Sequence, residues 1–275
     1  MAEKDEQDTE QQEAEERSAP SGKIVYKAIL SEGEEELKRS SFALFWSGLA
    51  AGLSMGFSMI AEGLLTAYLP PDAHWRPLVA KFGYSVGFLI VILGRQQLFT
   101  ENTLTPILPL LQRKEHATVG NVLRLWIIVL LANLIGALVI AFVSAYTNAF
   151  DPEIRKSFSE IGLRAMEYGF GTTLLRGVFA GWLIALMVWL LPFAETARVW
   201  VIILITYLVG LGHFSHIIAG AVETFTLAAM GQESWLTVFG SYIVPTLIGN
   251  ILGGVTLVAL LNHAQIVAGG GGGDI

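Results

Sequence analysis

The chain has 275 residues, of which 53% are hydrophobic and 15% charged, with mean hydropathy +0.57. That balance excludes an ordinary soluble domain and places the chain among polytopic membrane proteins. The formal charge of −7 comes largely from an acidic N-terminal tail, and the lack of cysteine excludes a disulfide framework or a thiolate site.

Residues 1–22 are polar and acidic, show no signal-peptide pattern and carry too little apolar content to fold, so a disordered tail is expected. Residues 23–40 carry Ile24, Val25, Ile29 and Leu30, then Glu34, Glu35, Glu36, Lys38 and Arg39, as a short interfacial helix leading into the membrane would. A six-span pore domain is expected over 41–262. Its first span runs from about Phe42 to Leu69, and the second begins near Val79 and reaches Leu98. There Leu93-Gly-Arg-Gln-Gln-Leu-Phe-Thr-Glu-Asn102 interrupts the apolar run, and a half-helix follows from about Asn102 to Gln112. Spans three and four cover about Val122 to Tyr146 and Phe170 to Leu191. The fifth starts at Val199, breaks at Gly210-Leu-Gly-His-Phe-Ser-His216 and resumes from about Ala219 to Met230. The sixth runs from about Trp235 to Leu261, and residues 263–275, with a five-glycine run, are expected to form a flexible tail. Six crossings put both termini on one side, and the excess of Lys and Arg there makes that side cytoplasmic.

The halves of the chain echo each other. Asn133-Leu-Ile-Gly136 in span three recurs as Asn250-Ile-Leu-Gly253 in span six, and the spacing from Phe99 to Asn133 matches that from His216 to Asn250. Gly48 and Gly52 in span one have counterparts in Gly177 and Gly181 of span four. Small residues at these spacings let helices approach closely. Three spans with a broken middle one, repeated after an odd number of crossings, have opposite topology. The expected fold is therefore all-α, two inverted three-helix repeats with broken second and fifth helices.

The two breaks hold the residues that chemistry would need. Lipid offers no water to unpaired backbone or polar groups, so both breaks are expected to face protein or a wet path. Half-helix N-termini converging near the midplane supply partial positive charge without a fixed cation, which suits an anion that must bind weakly and leave. His216, at the second break, is expected to donate a hydrogen bond or proton to a passing weak acid; His213 reads as structural. Thr100 in the first break bonds a solute or the histidine, caps the following helix, or does both. Arg95, Glu101, Arg176 and Glu223 form a charged set at expected membrane depth. Paired, they clamp the broken helices; a bare Glu101 or Glu223 near the path would disfavour anions and point to cation or neutral-solute transport. Asn133, Gly136, Asn250 and Gly253 are read as helix-packing positions. No nucleotide loop, nucleophile elbow or metal-spaced cluster suggests an enzyme, a cofactor, a metal site or a nucleic-acid partner.

Leu98-Phe99-Thr100, His216-Ile-Ile-Ala219 and Pro245-Thr-Leu-Ile-Gly-Asn-Ile-Leu-Gly-Gly254 together resemble the formate/nitrite transporter family over about residues 35–262. Arg95-Gln96-Gln97, Glu101-Asn102, Ser215 before the histidine and the pairs Ala180-Gly181 and Ala219-Gly220 resemble a divergent, YfdC-like bacterial branch. The resemblance implies an aquaporin-like protomer in a homopentamer of the inner (plasma) membrane. Each protomer would have its own pore for small monovalent anions, working as a channel or with a proton. It also implies that His216 is the central pore histidine, Thr100 its loop partner and Leu98 the adjacent loop leucine. Tyr84, Phe88 and Val209 would narrow the path with apolar surface, beside Phe99 of the loop.

Overall fold

The computed structural model describes residues 21–269; most of the expected N-terminal tail and the end of the glycine run lie outside the described residues. Ten helices account for nearly all of what is described: α1 (Gly22–Lys38), α2 (Ser41–Tyr68), α3 (Arg76–Leu93), α4 (Ile107–Arg113), α5 (His116–Tyr146), α6 (Pro152–Ala165), α7 (Phe170–Leu190), α8 (Arg198–Leu211), α9 (Ile217–Ala229) and α10 (Trp235–Ala268). α2, α3, α5, α10 and the segment containing α7 are long and apolar enough to cross a membrane. The expected fifth span is divided between α8 and α9, neither of which is long enough alone. Large apolar side chains such as Phe42, Trp200 and Leu236 point outward, as a bundle whose solvent is lipid allows. This is an all-α membrane fold.

Two helix pairs form the frame. α2 packs along α5, and α7 along α10. Gly52 has no room for a side chain because the Asn133 backbone lies against it, and Gly136 is closed in the same way by the backbone of Gly52 and Leu53. In the second pair the Asn250 backbone covers Gly181, and the carbonyl of Val178 covers Gly253. These contacts hold the helix axes close enough for the Asn133 and Asn250 side chains to reach across into the breaks. α9 is buried along its whole length, packed against α5, α6 and α2. α10 stays continuous around Pro245, and a π-helical turn over Val238–Ile243 precedes it, where the missing proline N–H disturbs the regular ladder.

α1 is docked rather than merely interfacial. Tyr26 and Ile29 are fully buried, and Gly33 lies against the carbonyl of Thr105. Glu34 pairs with Arg113, and the Arg124 guanidinium donates to the carbonyls of Leu37 (2.9 Å) and Arg39 (3.0 Å) at the end of α1. The Tyr26 hydroxyl lies 2.8 Å from His263 Nδ1, which brings α1 to the end of α10. That docking accounts for a correction: α10 stays helical to Ala268, where composition led to the expectation of a flexible tail from residue 263.

Candidate functional site, two matched breaks beneath a charged vestibule

Both broken segments end their first helix in the same way. Arg95 has φ 50° and His213 has φ 50°, each directly after a glycine that closes the helix. In α3 the Gln96 N–H reaches the Val91 carbonyl at 3.0 Å and the Arg95 N–H the Ile92 carbonyl at 3.2 Å. In α8 the Phe214 N–H reaches the Val209 carbonyl at 3.0 Å and the His213 N–H the Gly210 carbonyl at 3.1 Å. This is the Schellman ending, which satisfies the last carbonyls by turning one residue left-handed.

Beyond each turn, one asparagine holds the backbone. The Asn133 amide donates to the carbonyls of Gly48 (2.7 Å) and Gln97 (2.9 Å), and its oxygen accepts from the Phe99 N–H (2.9 Å). The Asn250 amide donates to the carbonyls of Gly177 (2.9 Å) and Ser215 (2.8 Å), and its oxygen accepts from the Ile217 N–H (2.9 Å). Both side chains are fully buried, so each serves backbone groups that lipid or apolar packing would leave unpaired. The matched bonds also correct the register expected from spacing. Phe99 corresponds to Ile217, and His216 therefore corresponds to Leu98.

His216 caps α9. Its Nδ1 accepts from the Ala219 N–H at 3.2 Å, and its Nε2 lies 2.8 Å from Thr100 Oγ1. An Nδ1 that accepts from an amide leaves the ring proton on Nε2, so the imidazole donates to the threonine hydroxyl. Thr100 does not cap the short helical turn that follows it; its hydroxyl is engaged by the histidine. The polar residues of the first break bond one another. Asn102 donates to Gln97 Oε1 (3.0 Å) and to the Leu98 carbonyl (3.1 Å), and the Trp126 indole donates to the Asn102 carbonyl (2.8 Å).

Apolar side chains surround the histidine. Phe88 stands edge-on to it with ring centroids 5.0 Å apart, and Tyr84 packs on Phe88 at 5.4 Å. Leu98, Phe99, Phe88, Tyr84 and Val209 are all buried. Phe99 turns away towards Trp126, at 5.9 Å. Tyr84 and Val209 line a vestibule of about 140 Å³, together with Glu62, Lys81, Glu223 and Tyr242.

The four-residue charged set does not come together. Arg95 is exposed, because the left-handed position it occupies ends a helix and directs its side chain outward. Arg176 stacks on Tyr168, 3.6 Å from the ring centroid, and donates to the His213 carbonyl at 3.1 Å. Glu101 is half-buried with Oε1 unpartnered, and it does not line the vestibule. Glu223 is buried, lines the vestibule and forms no ion pair among the described residues. The buried ion pair is a different one: Lys81 Nζ lies 2.5 Å from Glu62 Oε1, both with little exposure. Chain order carried a usable signal, since Glu62 sits late in a span that begins near Phe42 and Lys81 early in the returning one, which puts them at the same end.

The sequence model of the formate/nitrite transporter family matches residues 23–264. The chain belongs to that family. It is 42% identical over 244 residues to inner membrane protein YfdC of Escherichia coli (strain K12), covering 88% of this chain and 78% of the relative. That identity puts it in the YfdC-like branch. It is 30% identical to a formate-nitrite transporter of Plasmodium vivax, over 88% of this chain and 83% of the other. Among solved structures it superposes on a pentameric formate channel with formate bound (TM-score 0.67, 19% identity, 82% of this chain and 98% of the other). It also superposes on an ion channel of the same family (TM-score 0.75, 20% identity, 88% and 99%). At those identities the likeness establishes the family's fold.

Proposed function

We propose that each protomer carries small monovalent anions of weak acids, formate-like or nitrite-like, across the inner membrane through its own pore. The observation that carries this reading is the Nε2–Oγ1 bond between His216 and Thr100, where the two broken segments meet beneath Phe88 and Tyr84. A hydrogen-bond donor set in an apolar constriction can receive a small anion or its acid while rejecting hydrated cations. Leu98, Phe88 and Val209 are the constriction, and Phe99 supports the loop from behind. The relatives and solved neighbours with transporter and channel names support the same class. In this reading the chain is no enzyme, and 41–262 is the pore domain with α1 as a docked arm.

The matched Schellman endings and asparagine clamps support a two-fold design of three-helix units in opposite orientation, an aquaporin-like protomer. The pentameric assembly of the formate channel supports a homopentamer here. α1 and the end of α10 meet through Tyr26 and His263, and the basic residues on that side support a cytoplasmic position for both termini. The reading is tested by formate uptake into proteoliposomes. Uptake above that of empty liposomes, altered by His216→Phe, is the expected result; uptake equal to empty liposomes across several such anions overturns it.

A second reading, cation or neutral-solute passage, is favoured by one observation, the unpaired Glu223 on the vestibule wall. Glu101 offers it little, since it lies off that wall. Reversal potentials under a salt gradient decide: a cation-selective shift abolished by Glu223→Gln supports this second reading.

A further inference from the structure

The vestibule wall is charge-balanced in an uncommon way. Its deepest charged groups are Glu62, Lys81 and Glu223, with the first two locked together at 2.5 Å. Nearer the mouth, α6 contributes Glu160 and Arg164, both exposed, and α3 contributes Arg76, whose guanidinium donates to the Thr66 carbonyl at 2.5 and 3.1 Å. With Glu223 ionised, the three carboxylates of this lining balance its three cations. With Glu223 protonated, one positive charge is left over. Arg176, stacked on Tyr168 of the lining, adds a further cation. Tyr84 and Tyr242 beside Glu223 are neutral phenols, which leaves the imidazole of His213 as the other group on this wall of a type that ordinarily titrates near neutral pH.

Glu223 is also the group best placed to hold a proton. It is 8% exposed, opens onto the cavity and has no side-chain hydrogen bond or ion-pair partner among the described residues. His216 is less free to do so, because a proton on Nδ1 would break the bond that caps α9. We propose that the vestibule is a coupled binding site in which protonation of the Glu223 carboxyl admits a monovalent anion. The proton comes from the outer solution onto one carboxylate oxygen, and the anion then enters a wall carrying net positive charge. Linkage fixes the reciprocal effect: a bound anion holds the proton on Glu223 by the same factor.

This inference rests on the anion reading of the pore, and its test separates the two. Formate uptake is measured in proteoliposomes between pH 5 and 8 for wild type, Glu223→Gln and His213→Gln. Acid speciation is the same for all proteins at each pH, so rates are compared as ratios to wild type. The amide is neutral at every pH. The Glu223→Gln ratio is therefore expected near one at pH 5 and to rise by about tenfold at pH 8, within the usual range of such couplings. The His213→Gln ratio is expected to stay flat. A flat Glu223→Gln ratio, or a slope that appears with His213→Gln instead, overturns the proposal and leaves the anion pore standing. Wild-type uptake no better than empty liposomes overturns both. Should Glu223→Gln not assemble, Arg164→Gln reads the same balance: removing a lining cation is expected to raise the formate KM several-fold at pH 5, and an unchanged KM overturns the proposal.

Discussion

Thr100 Oγ1 and His216 Nε2 lie 2.8 Å apart with both residues fully buried, and this bond joins the two halves of the chain across 116 positions. Thr100→Val keeps the shape and removes the acceptor. It leaves a buried N–H without a partner, at about 1–3 kcal/mol. Lower thermal stability in detergent is expected, together with altered formate uptake, whereas Thr100→Ser should stay close to wild type. A valine variant that melts and transports like the parent would show that the bond matters to neither.

Asn133 and Asn250 each satisfy three backbone groups from one side chain. Asn→Asp at either position keeps the oxygen that accepts from Phe99 or Ile217 but turns the other donor into an oxygen facing two carbonyls. A loss of about 2–4 kcal/mol is expected from each, since two buried carbonyls lose this donor and an unpaired charge is created. The two sites share no partner, so the double variant should lose roughly the sum. Heat-stability curves for the singles and the double check this; a milder effect at Asn250 than at Asn133 would break the equivalence of the two clamps.

Much of this arrangement was legible in the chain. The polar breaks, the recurring Asn-x-x-Gly and the small-residue stripes all reflect the same requirement, that lipid leaves backbone groups nowhere else to bond. Register was harder. Spacing aligned Phe99 with His216, while the bonds align Phe99 with Ile217, because each asparagine reaches for a backbone N–H and the intervening chain differs by one residue. Charge partners were hardest. Arg95 looked like a buried cation from its neighbours in sequence, but its left-handed backbone turns the side chain outward. Glu62 and Lys81 found each other through the end of the membrane they share, which is a property of topology and not of local pattern.

Arg95 therefore yields a prediction opposite to the one a buried charge would give. At φ 50° a side chain costs roughly 1 kcal/mol that glycine does not. Arg95→Gly is expected to melt at or slightly above the wild-type temperature and to transport normally, while Arg95→Val, branched at Cβ, should be destabilised. A large loss of uptake in the glycine variant would mean that the guanidinium acts in transport from its exposed position.

The Glu62–Lys81 pair is nearly excluded from water, so its halves depend on each other. Glu62→Gln leaves a buried ammonium with Glu223 as the remaining carboxylate at the base of the vestibule, and a cost of about 3–5 kcal/mol is expected for breaking such a pair. Lys81→Gln strands Glu62 on the same wall and should be of similar severity. The double change to Gln removes both charges together and is expected to recover most of the stability, because two hydrogen-bonding amides need far less solvation than two ions. It also leaves the vestibule's charge balance and the Glu223 carboxyl in place, so the rise of formate uptake with falling pH should persist in the double variant. A double variant as unstable as the singles would mean that Lys81 and Glu62 each have a separate partner of their own.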